Sequence, residues 1–340
     1  MRYAIDIPNF GDFADPHLTV EVARDAEAAG WDAVWVWDHI MRDPADPHAD
    51  PWLLLAAIAL ATERIRLGPM VTPLPRRRPW HFAREAVTLD YLSRGRLTIG
   101  VGNGSRTHEF AAFGDEADLR TRAAMLDEGL DVLTGLWTGR PFSFAGVHYE
   151  IDNATFLPVP LQQPRIPIWV AATWPVRAPF RRAARWDGVW PLRRGPDGAG
   201  LPLTADDVRG VCATIAEERA IAGNDSAPFD VLVAGTTPGD DPSRAAAIAR
   251  ELADAGPRGG PSESTLREGR SSRCGGEFER GRRGRRRRGL RTRPSPNDQV
   301  SGGRSLPDRR SAPGRWNCLS ASRDVHRIRC ARTRLALKLR

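Results

Sequence analysis

The chain has 340 residues, of which 41% are hydrophobic and 27% are charged, which is typical of a globular protein with a substantial core. Its formal charge of +8 would favour a nucleic-acid or anionic-membrane partner, but the charge is unevenly distributed. Residues 257–340 carry 24 of the 50 basic and 7 of the 42 acidic residues, so residues 1–256 have a net charge of −9. The overall charge therefore does not indicate a nucleic-acid-binding fold.

No feature of the sequence indicates export or insertion into a membrane. The first residues, MRYAIDIPNF, lack the basic region and apolar run of a signal peptide. The longest apolar run, Leu53–Ala61, is shorter than the ~20 residues of a membrane span. The four cysteines match neither a zinc motif nor a disulfide framework. We expect a cytoplasmic protein in a reducing compartment.

Short β-rich runs alternate with longer helical patterns as far as residue 256. The predicted strands are Arg2–Ile7, Ala33–Trp37, Ile65–Val71, Leu97–Val101, Ile166–Ala171, Gly188–Pro191 and Phe229–Ala234. The predicted helices are His17–Ala29, Pro51–Thr62, Trp80–Ser93, Leu119–Trp137, Ala178–Arg185, Ala205–Gly223 and Pro242–Ala255. This alternation is typical of parallel strands joined by right-handed crossovers. It amounts to seven strand–helix units, one fewer than a (β/α)8 barrel requires.

The pattern is interrupted twice. Residues 141–164 have hairpin-like alternation followed by several prolines. After Gly256, where an eighth strand is expected, the chain becomes rich in Arg, Gly, Ser and Pro and loses apolar periodicity. Only Val325–Leu339 has scattered apolar positions, which favour a weak basic helix.

We therefore predict an α/β fold, a (β/α)8 TIM barrel over residues 1–256 whose eighth strand–helix unit is missing or replaced by a disordered basic tail over residues 257–340. The first and seventh strands would then keep unpaired edges. The abrupt change of composition, in a chain with the single lysine Lys338, suggests that the tail is translated from a shifted reading frame.

In a parallel barrel the active site lies at the carboxyl ends of the strands. Asp38 and His39 follow the second predicted strand. An imidazole there is suited to donate a hydrogen bond to a cofactor or to act as a general acid or base. The alternative is a structural histidine that caps the end of the strand.

Two further turns are candidates for ligand contact. The sequence GVGNGS after the fourth strand has G-x-G-x-G spacing, which does not match the Rossmann pattern and is compatible with a plain tight turn. Thr173 follows the fifth strand among small residues, where backbone N–H groups can bind an anion, with Arg177 and Arg181 nearby. A solvated helix start explains that turn equally well.

A metal site is not predicted. Carboxylates and imidazoles do cluster after the second strand, at Asp38, His39, Asp43, Asp46, His48 and Asp50. The segment is rich in proline, and solvated side chains explain it better than a metal site does.

Together these motifs resemble the luciferase-like monooxygenase family of flavin- and deazaflavin-dependent (β/α)8 oxidoreductases. The matching stretches include IPNFGDFADP, AEAAGWDAVWVWDHI, TERIRLGPMVTPLPRRRPWHFAREAVTLDYLSRGRLTIGVGNG, FAAFGDE, MLDEGLDVLTGLWTGRPFSFAGVHYEI, LPVPLQQPRIPIWVAATWP and RRAARWDGVWP. They cover most of residues 1–255 in the order of the family.

The resemblance implies a cofactor, either FMN or the deazaflavin coenzyme F-420 (F420), across the strand ends. It implies that His39 is catalytic and that the segment 70–72 supports the ring, with a cis non-prolyl peptide in some members. The segment 102–104 would lie near the ring, and the segment 171–173 would contact the cofactor phosphate. Ser105 stands where some deazaflavin-dependent members carry a catalytic Glu, so that role is not transferred. The implied cofactor contacts are Asp38, Met70, Val71, Thr72, Gly102, Asn103, Gly104, Ala171, Ala172 and Thr173.

The function implied is hydride transfer or oxygenation of a small organic substrate at the ring cofactor. The expected partners are that substrate, a separate flavin reductase if oxygen is used, and a second copy of the chain in a homodimer. Two alternatives remain: nucleic-acid binding through the tail, especially Arg282–Arg288, and an inactive barrel that acts as a binding module.

Overall fold

A ring of parallel strands surrounded by helices forms the fold. The computed structural model describes residues 2–196, 200–235 and 241–256, together with the backbone of residues 334–339. The strands are β1 (Arg2–Ile7), β2 (Ala33–Val36), β3 (Arg66–Pro69), β4 (Thr72–Pro73), β5 (Ile99–Gly102), β6 (Phe142–Ala145), β7 (Glu150–Ala154), β8 (Ile168–Trp174), β9 (Gly188–Arg194), β10 (Gly200–Leu201), β11 (Asp230–Gly235) and β12 (Arg334–Leu339). The α-helices are α1 (Pro16–Ala28), α2 (Pro51–Ala61), α3 (Pro79–Leu92), α4 (His108–Ala111), α5 (Leu119–Leu136), α6 (Arg177–Ala183), α7 (Ala205–Ile221) and α8 (Pro242–Asp254). All seven predicted strand–helix units are present, and β6 pairs with β7 in the predicted hairpin.

Several helices begin at residues that favour a helix start. The Asp15 side chain accepts a hydrogen bond from the His17 N–H at the start of α1, and Asp50 accepts from the first N–H groups of α2. A proline follows each of these aspartates, which suits the first helical position. At α7, Thr204 forms a capping box with Asp207.

The strands close into a ring. Hydrogen-bonded neighbours follow the order β3-β2-β1-β12-β11-β9-β8-β5. The ring closes between β3 and the residues just before β5. Leu67 pairs there with Leu97, and the Thr98 N–H donates to the Leu67 carbonyl at 3.0 Å. Neighbouring strands are parallel throughout, except in the two pairs that contain β12.

The eighth position of the ring differs from the prediction. The strand β12 lies between β1 and β11 and is antiparallel to both, so the expectation of unpaired edges on the first and seventh strands is wrong. The prediction of a helix over 325–339 is also wrong for residues 334–339, because RLALKL repeats leucine at every second position, which favours a strand. Residues 257–333, on which the rest of the predicted disordered tail falls, lie outside the described residues.

Large side chains fill the interior of the ring. Trp35, Trp169 and Trp190 pack there with Leu232 and Met70, and the rings of Trp35 and Trp169 lie 5.2 Å apart. The alternate residues of the same strands pack outward against the helices in a larger apolar cluster. The interior is therefore a packed core, and a ligand has room only at an end of the ring. None of the described helices has both the length and the apolar character of a membrane span.

A tight contact at Gly68 supplies a test of this packing. A Cβ atom at Gly68 in β3 would lie 1.7 Å from the carbonyl oxygen of Thr98. Gly68→Ala should therefore lower the free energy of unfolding by about 3 kcal/mol or more, since a backbone atom cannot move aside cheaply. Urea unfolding measures the change. Gly200→Ala, whose Cβ meets no described atom within 4 Å, is the control. Equal midpoints for the two variants would contradict the packing described.

Candidate active site at the mouth of the barrel

The carboxyl ends of the parallel strands bring the predicted site residues to one rim. Asp38 and His39 follow β2, Met70 follows β3, β5 ends at Gly102, and residues 171–173 belong to the last part of β8. Val71 and Thr72 come directly after Met70, and Asn103 and Gly104 come directly after Gly102. The rim is therefore the candidate active site.

Asn9 holds the backbone of His39 in place. Asn9 follows β1 and is fully buried. Its Oδ1 accepts a hydrogen bond from the His39 N–H at 3.1 Å, and its Nδ2 donates to the carbonyls of His39 and Ala49, both at 2.7 Å. One amide thus joins the end of the first strand to the loop after the second.

Glu109 binds the ring of His39. Its carboxylate oxygens lie 2.9 and 3.1 Å from His39 Nδ1, and Oε1 also accepts hydrogen bonds from the N–H groups of Ile40 and Met41 at 3.0 and 3.1 Å. Burial raises the pKa of this carboxyl, but His39, the Met41 N–H and the Arg76 charge outweigh it and lower the pKa to about 2. The group is therefore a carboxylate at any physiological pH.

Glu109 is not among the residues predicted from the sequence. Ser105, four residues earlier, stands where some members of the resembling family carry a catalytic Glu. Glu109 lies in the short helix α4 beside Phe110, and both side chains are buried. An acidic residue in a buried segment directly after the glycine turn is the feature that could have indicated it.

Asp38 has a different environment from that of His39. Its carboxylate is buried and accepts hydrogen bonds from the Thr72 hydroxyl at 2.8 Å, from Arg76 at 2.5 Å and from Arg77 at 3.1 Å. Thr72 is itself fully buried and also accepts from the Trp52 indole at 3.3 Å. The side chains of Asp38 and Thr72 therefore bind one another and the arginines within the wall of the mouth.

The segment after β3 packs against glycines of β5. The peptide between Met70 and Val71 is cis. A Cβ at Gly100 would lie 2.7 Å from the Met70 sulfur, and a Cβ at Gly102 would lie 3.0 Å from Val71 and 3.5 Å from Ala171. Met70 is buried among the interior tryptophans, whereas Val71 and Ala171 are only partly buried above them. With Leu192 and Ala234, these two residues form the apolar floor of the mouth.

The glycine turn after β5 lies over a buried arginine. Gly104 has a φ of +79°, and a Cβ there would lie 2.5 Å from the Phe110 ring and 3.4 Å from Arg122 Nη1. The Arg122 guanidinium stacks on Phe110, with its carbon 4.0 Å from the ring centre. It is 1% exposed, and its Nε and Nη1 have no hydrogen-bond partner among the described residues. Asn103 is half-buried in the same turn.

Neighbouring side chains at the end of β8 point to opposite faces of the sheet. Ala172 is 1% exposed and packs into the outer core, so only its backbone can contact a ligand, whereas Ala171 and Thr173 are partly exposed. Arg177 and Arg181, which we considered for an anion, form ion pairs with Glu218 at 3.2 and 3.5 Å.

Aromatic side chains form the wall beside His39. The rings of Phe10 and Trp37 lie 6.0 and 5.9 Å from the His39 ring, and the Arg42 guanidinium stacks on both at 5.3 and 5.4 Å. His48 Nε2 accepts a hydrogen bond from the Arg42 N–H at 2.9 Å. Within the described part of the chain, no three His, Cys, Asp or Glu side chains form a group suited to a metal ion.

The chain matches one known family over most of its length. The model of the luciferase-like monooxygenase family matches residues 7–309. The chain belongs to this family. The resemblance inferred from the motifs is confirmed, and with it the TIM-barrel fold class.

Two curated relatives of this luciferase-like chain are oxidoreductases. It is 36% identical over 169 residues to the F420-dependent glucose-6-phosphate dehydrogenase of Amycolatopsis mediterranei, covering 48% of this chain and 50% of that protein. It is 32% identical over 157 residues to the oxygenase component of the flavin-dependent trigonelline monooxygenase of Acinetobacter baylyi, covering 46% and 43%. The chain thus spans about half the length of these relatives.

Solved structures have the same fold. An F420-dependent secondary alcohol dehydrogenase matches with a TM-score of 0.58 and 22% identity, covering 68% of each chain. The monooxygenase RslO1 from Streptomyces bottropensis matches with a TM-score of 0.55 and 26% identity, covering 66% of this chain and 67% of that one.

The low pKa of Glu109 predicts a pH-dependent stability. Glu109→Gln should lower the free energy of unfolding by about 2 kcal/mol at neutral pH, because buried donors lose a charged acceptor. The folded-state pKa of about 2 lies below the ordinary value of 4.5. The carboxylate therefore stabilises the fold above about pH 4.5, and this contribution is lost as the pH falls towards 2.

Urea unfolding from neutral to acidic pH measures this effect as the difference between wild type and variant, which should shrink below about pH 4.5. Glu21→Gln, at an exposed position of α1, is the control and should show little difference at any pH. A difference for Glu109→Gln that stays constant over the acidic range would contradict the prediction.

Proposed function

We propose that the chain is an oxidoreductase that uses F420 or FMN, and more narrowly a dehydrogenase that takes F420 and oxidises a hydroxyl-bearing carbon of a small substrate. The observation that carries the proposal is the apolar floor of Val71, Ala171, Leu192 and Ala234 at the same rim as the His39–Glu109 pair. Such a floor suits a flat ring, and the pair suits proton transfer next to it. The narrower choice is supported by the F420-dependent dehydrogenases among the relatives.

The residues of the mouth fit such a cofactor. Gly102 lets Val71 and Ala171 pack closely against β5, because a Cβ there would lie 3.0 and 3.5 Å from them. When bound, a flavin or deazaflavin ring accepts or donates a hydride. His39 would take the proton of the substrate hydroxyl during oxidation and return it in the reverse direction. The packed tryptophans beneath the floor exclude water from below.

Arg122 supports a position for the phosphate of the cofactor near the glycine turn. Its guanidinium is buried beside Gly104 with unpartnered N–H groups among the described residues. The glycine turn and the backbone of residues 171–173 would hold the phosphate, and Arg122 would supply a positive charge at the turn. Arg177 and Arg181 are less suited, because both already bind Glu218.

A flavin-dependent monooxygenase is the second candidate function. The relative from Acinetobacter baylyi, an oxygenase component, supports it. An enzyme of that kind would use FMN and a separate flavin reductase. The two candidates differ in the cofactor that binds.

Cofactor titration tests the choice between the two candidates. Quenching of tryptophan fluorescence should show F420 binding at least about tenfold more tightly than FMN, a difference of about 1.4 kcal/mol. Tighter binding of FMN would favour the monooxygenase. Binding of neither cofactor would contradict both candidates.

Substitution of His39 tests its catalytic role. His39→Ala should bind F420 within about threefold of the wild type but lose at least about 100-fold in turnover, because general acid–base groups contribute factors of this size. Glucose 6-phosphate and propan-2-ol are suitable first substrates, given the relatives. His17→Ala, on the exposed start of α1, is the control. Full activity of His39→Ala would contradict the assignment.

We also propose that the chain forms a homodimer through α2. The sequence of this helix, PWLLLAAIALA, has no charged residue, and Leu53 and Leu60 are 73% and 72% exposed on its outer face. A helix that is apolar on all sides is normally buried, and a second copy would cover this one.

Leu53→Glu combined with Leu60→Glu should convert the dimer to a monomer in light scattering, because the interface would then bury two unpaired charges. Val147→Glu, at another exposed apolar residue, should remain dimeric. A monomeric wild type would contradict the proposal.

For the domain organisation we propose that the seven strand–helix units are encoded as far as residue 256 and that residues 257–340, which include β12, are translated from a shifted reading frame. The abrupt change of composition supports this. Translation of the other frames of the gene past codon 256 should reveal a strand–helix unit like those of the family. Absence of such a unit from both frames would overturn the proposal.

A further inference from the structure

We propose that Glu109 is a positioning residue that determines which nitrogen of His39 exchanges the proton. The inference rests on the proposed function, in which His39 handles the proton of the substrate.

The contact determines the proton position on the ring. Glu109 is a carboxylate, so it only accepts hydrogen bonds, and its oxygens lie 2.9 and 3.1 Å from His39 Nδ1. Nδ1 must therefore carry a hydrogen. In the neutral ring the lone pair is then on Nε2, which no described residue contacts by a hydrogen bond.

The same carboxylate also fixes the position of the ring. Oε1 binds the N–H groups of Ile40 and Met41, the two residues after His39, while Asn9 binds the His39 backbone from the other side. The ring is thus held at Nδ1, along its backbone and by contact with Phe10 and Trp37 on one side. Nε2 is left as the nitrogen that can take a proton from a substrate hydroxyl.

The carboxylate is also positioned to stabilise positive charge that develops on the ring during proton transfer. When His39 takes up the proton at Nε2, the imidazolium gains a carboxylate partner that is already in place, so no solvent reorganisation is needed. The side chain of Glu109 is 3% exposed and that of His39 is 15% exposed, so water screens the pair weakly. Removal of the charge should therefore affect turnover more than cofactor binding.

The tautomer of His39 can be observed without any substrate. We would label the full chain with 15N-histidine and assign His39 by its loss in His39→Asn. Long-range 1H–15N correlation at neutral pH should show a protonated Nδ1 and an unprotonated Nε2 in the wild type. A wild-type ring protonated at Nε2 alone would overturn the proposal, whatever the enzyme does catalytically.

Variants of Glu109 provide the second measurement. Glu109→Gln should populate the other tautomer, keep its F420 affinity within about threefold, and reduce turnover of glucose 6-phosphate or propan-2-ol at least about tenfold. Glu128→Gln is the matched control, because Glu128 accepts from the N–H groups of Val147, His148 and Tyr149 but does not contact His39. An unchanged tautomer and turnover in Glu109→Gln would overturn the proposal.

The two proposals fail in different ways. If neither F420 nor FMN binds, the proposed function fails, while the wild-type spectrum still decides the role of Glu109. If the cofactor binds and His39→Ala is inactive but the spectrum shows Nε2 protonated, the proposed function stands and the role of Glu109 is refuted.

Discussion

Buried polar groups at the rim of the barrel must find hydrogen-bond partners, and this requirement determines the shape of the candidate site. Asn9, Asp38 and Glu109 each take their partners from a segment distant in the chain: Asn9 from both ends of the loop after β2, Asp38 from the segment after β3, and Glu109 from His39 and its two following residues. An unsatisfied group of this kind costs about 1–3 kcal/mol, and more if it is charged. The loop after β2 therefore has little freedom to rearrange, and His39 is held with it.

The filling of the barrel explains why the site lies at this rim. Trp169 and Trp190 come before Ala171 and Leu192 along their strands, and Leu232 comes before Ala234. Bulky side chains thus occupy the lower levels of the interior, and smaller ones occupy the level nearest the carboxyl ends. The glycines of β5 let Met70, Val71 and Ala171 pack closely against this strand. The small side chains of the floor hinder the approach of a flat ligand less than the tryptophans beneath them would.

Residues adjacent in the chain have separate roles at the rim. Asp38 is buried with Thr72 and two arginines, whereas the next residue, His39, has its ring at the mouth. Ala172 packs outward, while its neighbours in β8 do not. The resemblance to the family locates such segments along the chain, but the direction of each side chain follows from the pleat of the strand and the partners that it meets. Of the predicted cofactor contacts, Val71, Gly102 and Ala171 therefore lie at the floor, and Asp38, Thr72 and Met70 lie behind or beneath it.

The sequence by itself determined the seven strand–helix units, the family and the rim on which the candidate residues lie, because apolar periodicity and local motifs are properties of neighbouring residues. Only the tertiary structure decided that Glu109 reaches His39 across 70 positions of the chain, that Arg122 lies under the glycine turn, and that β12 takes the eighth place in the ring. Each of these is a contact between distant segments, and its energy depends on burial and hydrogen-bond geometry that exist only after the barrel has closed.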